Sequence, residues 1–127
     1  MGCDIRFIIE RKECDNGTWE FAEEVEIERD YDLFTALAGV RACPGSEIKV
    51  ISQPKGIPSD TSDFVRYLMD SVDSHSHSWL SLKELLSYDW RENNMWLIQF
   101  SHTVISKMVE LADGDLNSVR ASFAFDN

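Results

Sequence analysis

The 127-residue chain is 43% hydrophobic and 28% charged, enough apolar surface for one core and not the composition of a disordered segment. Its 12 Lys and Arg face 23 Asp and Glu, a formal net charge of -11, so a phosphate backbone is repelled and direct nucleic-acid binding is set aside. Cys3, Cys14 and Cys43 have no Cys-x-x-Cys spacing, and no apolar run has signal-peptide length or the ~20 residues of a membrane helix, so a reducing compartment and no membrane partner are expected.

Taken in order, Ile5, Phe7 and Ile9 alternate with Asp4, Arg6, Ile8 and Glu10, a period of two that predicts a strand over residues 3–11. Asp15-Asn16-Gly17 is a turn signal, after which Trp19, Phe21, Val25 and Ile27 alternate with Glu20, Glu24, Glu26 and Glu28. The pattern predicts a β-hairpin with one apolar and one acidic face. Residues 13–32 hold nine acids against one base, Arg29. That run is either an ordinary solvated sheet face or a docking surface for a basic protein. Asp30 or Asp32 can cap a short helix over 33–38, with Gly39 ending it and Arg41 just beyond.

Residues 42–61 carry all three prolines. They read as a loop with a short strand at 48–51, long enough to close over a pocket. Ser59, Thr61 or Ser62 can cap the next helix, whose Phe64, Val65, Leu68, Met69 and Val72 form an apolar stripe read as core. Residues 73–78 break that stripe and carry His75 and His77; in extended backbone both rings would point to one side. Ser81 with Glu84 forms a capping box opening a helix through Leu82, Leu85 and Leu86. The longest helix is expected over about 93–112, with Leu97, Phe100, Val104, Met108 and Leu111 on one face and Gly114 as its stop. Val119, Ala121, Phe123 and Phe125 alternate with polar or small residues in a last strand that finishes at Asp126-Asn127.

These elements predict one α+β domain over residues 1–127. Its antiparallel sheet is built from the N-terminal β-hairpin and the C-terminal strand, with about four helices over its apolar face.

The blocks Met1-Gly2-Cys3-Asp4-Ile5, Arg29-Asp30-Tyr31-Asp32-Leu33-Phe34 with Gly39-Val40-Arg41, Lys55-Gly56-Ile57-Pro58, His75-Ser76-His77-Ser78-Trp79-Leu80 and Phe125-Asp126-Asn127 carry a resemblance. In content and order they resemble a family of small uncharacterised proteins of tailed-bacteriophage and prophage genomes. The resemblance implies a compact phage accessory protein in the cytoplasm of an infected or lysogenic bacterial host, and no particular reaction. Family members usually carry His where this chain has Arg6, so a third imidazole ligand is missing here.

Three readings of the chemistry follow. In the leading one, Tyr31, Arg41, His75, His77, Trp79, Asp126 and Asn127 line a pocket for a small polar or nucleotide-like ligand. Arg41 offers a bidentate fork and Trp79 a stacking face, and the protein serves host takeover or counter-defence by binding alone. In the second, His75 and His77 with Asp4 and Asp126 hold zinc, manganese or iron and activate a water for hydrolysis. In the third, the acidic hairpin inhibits a basic host protein. No cofactor is otherwise implied, and no residue is assigned to catalysis, since there is neither a Gly-x-Ser-x-Gly elbow nor a glycine-rich phosphate loop. Trp90 or Trp96, if exposed, would suit the interface of a homo-oligomer.

Overall fold

The structure, a computed structural model, describes residues 2–14, 17–91 and 99–127. The first and last strands, β1 (Asp4–Arg11) and β4 (Val119–Asp126), lie side by side and antiparallel. Asp4 is opposite Asp126, Phe7 opposite Phe123 and Glu10 opposite Arg120. Strand β2 (Glu20–Val25) pairs with the outer side of β1, and β3 (Ser74–Ser81) with the outer side of β4, giving the order β2-β1-β4-β3. Among the described residues, four helices complete the fold: α1 (Tyr31–Ala38), α2 (Asp63–Met69), α3 (Leu82–Ser87) and α4 (residues 99–112). The last includes a π-helical turn at Ser101–Ile105. The α+β architecture with its hairpin and C-terminal strand is the one the sequence predicts.

One face of the sheet buries Phe7, Ile9, Val119, Ala121, Phe123 and Phe125 under α1, α3 and α4. Phe7 stacks on Phe123 at 5.9 Å and meets Phe100 of α4 edge-on at 5.7 Å, while Phe34 of α1 meets Phe125 at 5.2 Å. Asp30 caps α1 by accepting from the Asp32 and Leu33 amides, and Gly39 ends it at φ 73, a left-handed turn that glycine adopts without strain. The Ser81–Glu84 capping box opens α3 as its spacing requires. Asp113, at φ 47, stops α4 one residue before Gly114.

Several expectations are corrected. The helices do not cover one face alone: α2 packs Val65 and Met69 on Ile8, on the reverse side of the sheet. Phe64 is exposed and Val72 wholly so, so the helical stripe is core only in part. The hairpin's apolar residues do not share a face. A bulge between Ile9 and Glu10 sets Phe21 opposite Glu10 and Val25 opposite Phe7, because one extra residue reverses the alternation. The 73–78 stretch is mostly strand rather than a break, and 48–51 is not a strand. The turn residues Asp15 and Asn16, the helix start near 93, Leu97 and Trp96 lie outside the described residues. Trp90 is buried; its Nε1 donates to the Leu85 carbonyl at 2.7 Å, so it is not an exposed interface anchor.

The 52–62 segment does not hang over a pocket. It is tied down through a buried carboxylate: Glu10, wholly buried, accepts from Arg120 Nε at 3.0 Å, from Thr61 Oγ1 at 2.7 Å and from Ser122 Oγ. Arg120 Nη1 also reaches Asp60 at 2.8 Å, and its guanidinium lies over the rings of Trp19 (4.1 Å) and Trp79 (5.6 Å). Removing one partner of a buried pair strands the other charge. Glu10→Ala is therefore expected to lower the urea-unfolding free energy by about 3–5 kcal/mol, whereas Asp60→Ala, at the solvent-facing end, costs under about 1 kcal/mol. Equal losses would contradict this assignment.

Candidate functional site

The predicted ligand residues fall into three places. The first is the end of the sheet where β1 begins. The Tyr31 hydroxyl accepts from the Cys3 amide at 3.0 Å, and the Arg41 guanidinium lies 5.4 Å from the Tyr31 ring centre. Arg29, which is not among the predicted site residues, joins them by a two-point bond to Asp4 at 2.7 and 3.2 Å. A Cβ at Gly2 would meet the Arg29 guanidinium as it stands, so a larger residue there would displace that side chain. Asp4 is opposite Asp126, which is in turn opposite Ser74, so the termini and β3 form one row of polar residues across the sheet end.

The second place is the far end of that row. His75 Nε2 donates to the Asn127 Oδ1, and His75 Nδ1 shares a hydrogen bond with Ser76 Oγ at 2.9 Å. The ring lies 6.3 Å from Phe125, on the side that faces α1. Two interstrand spacings, roughly 10 Å, separate it from the β1 end.

His77 is not with His75. The pairing of β3 with β4 slips between His75 and Ser78, and Ser76 takes a left-handed φ of 53. This bulge sends the His77 ring to the α2 side, where Nε2 donates to the Met69 carbonyl at 3.0 Å. The expectation of two imidazoles on one side fails for that reason. Asp4 is engaged by Arg29, and among the described residues no three His, Cys, Asp or Glu are placed to hold a metal ion. The candidate quartet His75, His77, Asp4 and Asp126 therefore does not converge.

Trp79 occupies the third place. Lys55 Nζ lies 4.0 Å over its ring and also pairs with Glu84 at 2.7 Å, while Arg120 reaches it from the other strand. Its stacking faces serve the 52–62 clamp rather than the Tyr31 end. Burial raises the Glu84 pKa, but the Lys55 and Ser81 hydrogen bonds outweigh it and hold the carboxyl below its ordinary value.

A cleft of about 630 Å³ opens beside Tyr31, lined by Arg29, Asp30, Asp32, Glu26, Glu28 and the Gln99–Thr103 side of α4. Its carboxylates oppose a bare anion and accept hydrogen bonds from hydroxyl and amino groups. Arg41 lies over Tyr31, while the Arg29 fork, which lines the cleft, is held by Asp4, so cationic and carboxylate groups flank the Tyr31 ring. Comparison with protein-family models, curated proteins and solved structures gave no match.

The Arg29 hydrogen bonds, followed by a smaller opposing desolvation and the guanidinium charge, hold the Asp4 carboxyl below its ordinary range. A depressed folded-state pKa gives stability that is present above the unfolded value and is lost as pH falls through the folded one. Arg29→Ala is expected to move the Asp4 titration midpoint up toward the ordinary aspartate value in carbon-detected NMR, with Arg29→Lys only partly restoring it. A midpoint unaffected by Arg29→Ala would refute the pair.

Proposed function

We propose that the chain is a phage-type accessory protein of host takeover or counter-defence that acts by binding a small, polar, phosphate-bearing ligand of nucleotide type at the Tyr31 end of the sheet. The observation that carries this reading is Arg41 over the ring of Tyr31, with Tyr31 and Arg29 lining the adjacent cleft. The Arg41 fork pairs with a phosphate or carboxylate in bidentate fashion. Tyr31 supplies a flat face, the cleft carboxylates take sugar or amino hydrogens, and His75 with Asn127 closes the row on the far side.

Backbone strain supports the same location. Among the described residues, Arg41 and Ser76 are two of three non-glycine residues with positive φ, at 60 and 53. Such residues cost roughly 1–3 kcal/mol and persist where the surroundings demand a particular side-chain direction. The third, Asp113, is an ordinary helix stop. Four of the blocks that carry the phage-family resemblance meet along this row: Cys3 bonds Tyr31, Arg29 bonds Asp4 and His75 bonds Asn127. The Lys55–Pro58 block lies instead at the clamp on β3, its Gly56 amide donating to the His77 carbonyl at 2.8 Å. No helix among the described residues is long and apolar enough to cross a membrane; the host cytoplasm is the compartment that goes with this reading.

A ligand at about 100 times its Kd stabilises its protein by about 2.7 kcal/mol. Nucleoside monophosphates are expected to raise the unfolding midpoint of the native chain, inorganic phosphate less so, and Arg41→Ala to abolish the rise as judged against that variant's own ligand-free midpoint. A stabilisation that survives Arg41→Ala would place the ligand elsewhere, and none from any phosphate-bearing probe would overturn the reading.

A further inference from the structure

The sheet has two edges, and among the described residues only that of β3 is covered. Along β3 the Gly56 amide donates to the His77 carbonyl at 2.8 Å and the Lys55 amide to Ser78 Oγ at 3.0 Å, so the 52–62 segment closes that edge. Along the outer side of β2, among the described residues, no backbone group bonds another segment. An unpaired strand edge is a template for another strand. The bulge that turns Phe21 to the α2 side brings its ring to 5.2 Å from Phe64, edge-on, and Tyr67 follows one helical turn later. These three aromatics are 38%, 54% and 78% exposed, a strip of apolar surface beside the open edge.

Charge selects the occupant. Glu23 pairs with Lys107 at 2.5 Å and Glu24 with Arg6 at 3.1 Å, whereas Glu20, Glu26 and Glu28 make no ion pair among the described residues. A second copy of this chain laid along β2 would set Glu against Glu, which a strand ladder does not tolerate. Nucleic acid is repelled for the same reason. An extended segment rich in Lys and Arg meets neither obstacle.

We infer that the outer edge of β2, with Phe21, Phe64 and Tyr67, is a docking surface for an extended basic segment of a protein partner, which adds to the sheet as a fifth strand. Backbone hydrogen bonds to β2 supply the register. Lys or Arg side chains on one face reach Glu20, intervening apolar side chains on the other face cover the aromatic strip, and Glu26 and Glu28 extend the acidic field just beyond the strand. The β2 edge and its aromatic strip lie outside the Tyr31 cleft, with Glu26 and Glu28 at the border between the two, so strand addition does not depend on a ligand at Tyr31.

The test uses the full chain and a short synthetic peptide alternating Lys and Val, followed by fluorescence anisotropy. The peptide is expected to bind, more weakly as salt is raised through the range in which surface charges are screened. Phe64→Ser with Tyr67→Ser, both on exposed positions, is expected to weaken binding by roughly tenfold, as for the loss of a central aromatic anchor. Arg41→Ala is expected to leave it unchanged. An N-methylated peptide keeps its charges and loses its strand donors, so it should bind far less. Equal binding of the N-methylated form would reduce the contact to charge attraction and overturn strand addition; no binding of the parent peptide at low salt would overturn the surface altogether.

Discussion

The buried pair of Glu10 and Arg120 is the constraint on which the rest of this structure depends. The two residues face each other across the central strands, in a position that an ordinary two-layer α+β sheet would fill with solvent or with apolar side chains. A carboxylate wholly out of water needs every lone pair answered. Arg120, Ser122 and Thr61 supply those bonds, and Thr61 can do so only if the proline-bearing 52–62 segment folds back onto the sheet. That segment then covers the edge of β3 and puts Lys55 on Trp79. Glu10 thus fixes a segment remote from it in the chain, and the segment fixes the strand that carries the histidines.

Much of the fold is legible in the sequence because its signals are local. The period-two strands at each end, the Asp30 cap, the Gly39 stop and the Ser81–Glu84 box each depend on residues a few positions apart. What the sequence hides is long-range. Two bulges, at Ile9/Glu10 and His75/Ser78, reverse side-chain alternation without any glycine to mark them, so simple alternation puts Phe21 and His77 on the wrong side. Strand β3 escapes a periodicity reading because its Ser and His residues answer to a polar clamp and a polar row, not to an apolar core. Glu10 and Arg120 look like solvent-facing members of alternating strands, and only the arrival of α2 and the 52–62 segment makes their face an interior.

The candidate site shows the same division. Tyr31 and Arg41 are recognisable as residue types suited to a polar ligand, and the structure brings them together; His75 and Asn127 are likewise in contact. Arg29 stands in the sequence as the single base of an acidic run, with no local sign of a site, yet its bond to Asp4 makes it part of the same sheet end. His77 and Trp79 belong to the machinery that holds β3, one through the end of α2 and the other through Lys55 and Arg120. The described polar residues therefore divide among a buried network that fixes the scaffold, a row at the sheet end, and an acidic edge that no other described segment covers.

Amide NMR of the native chain during titration with a nucleoside monophosphate tests the proposed ligand site at the sheet end around Tyr31. Shift changes are expected to concentrate at Cys3, Arg29, Tyr31, Arg41, His75 and Asn127, with the Glu10–Arg120 network and β2 unmoved. Changes concentrated at Trp79 and Lys55, or spread evenly over the acidic surface, would contradict it.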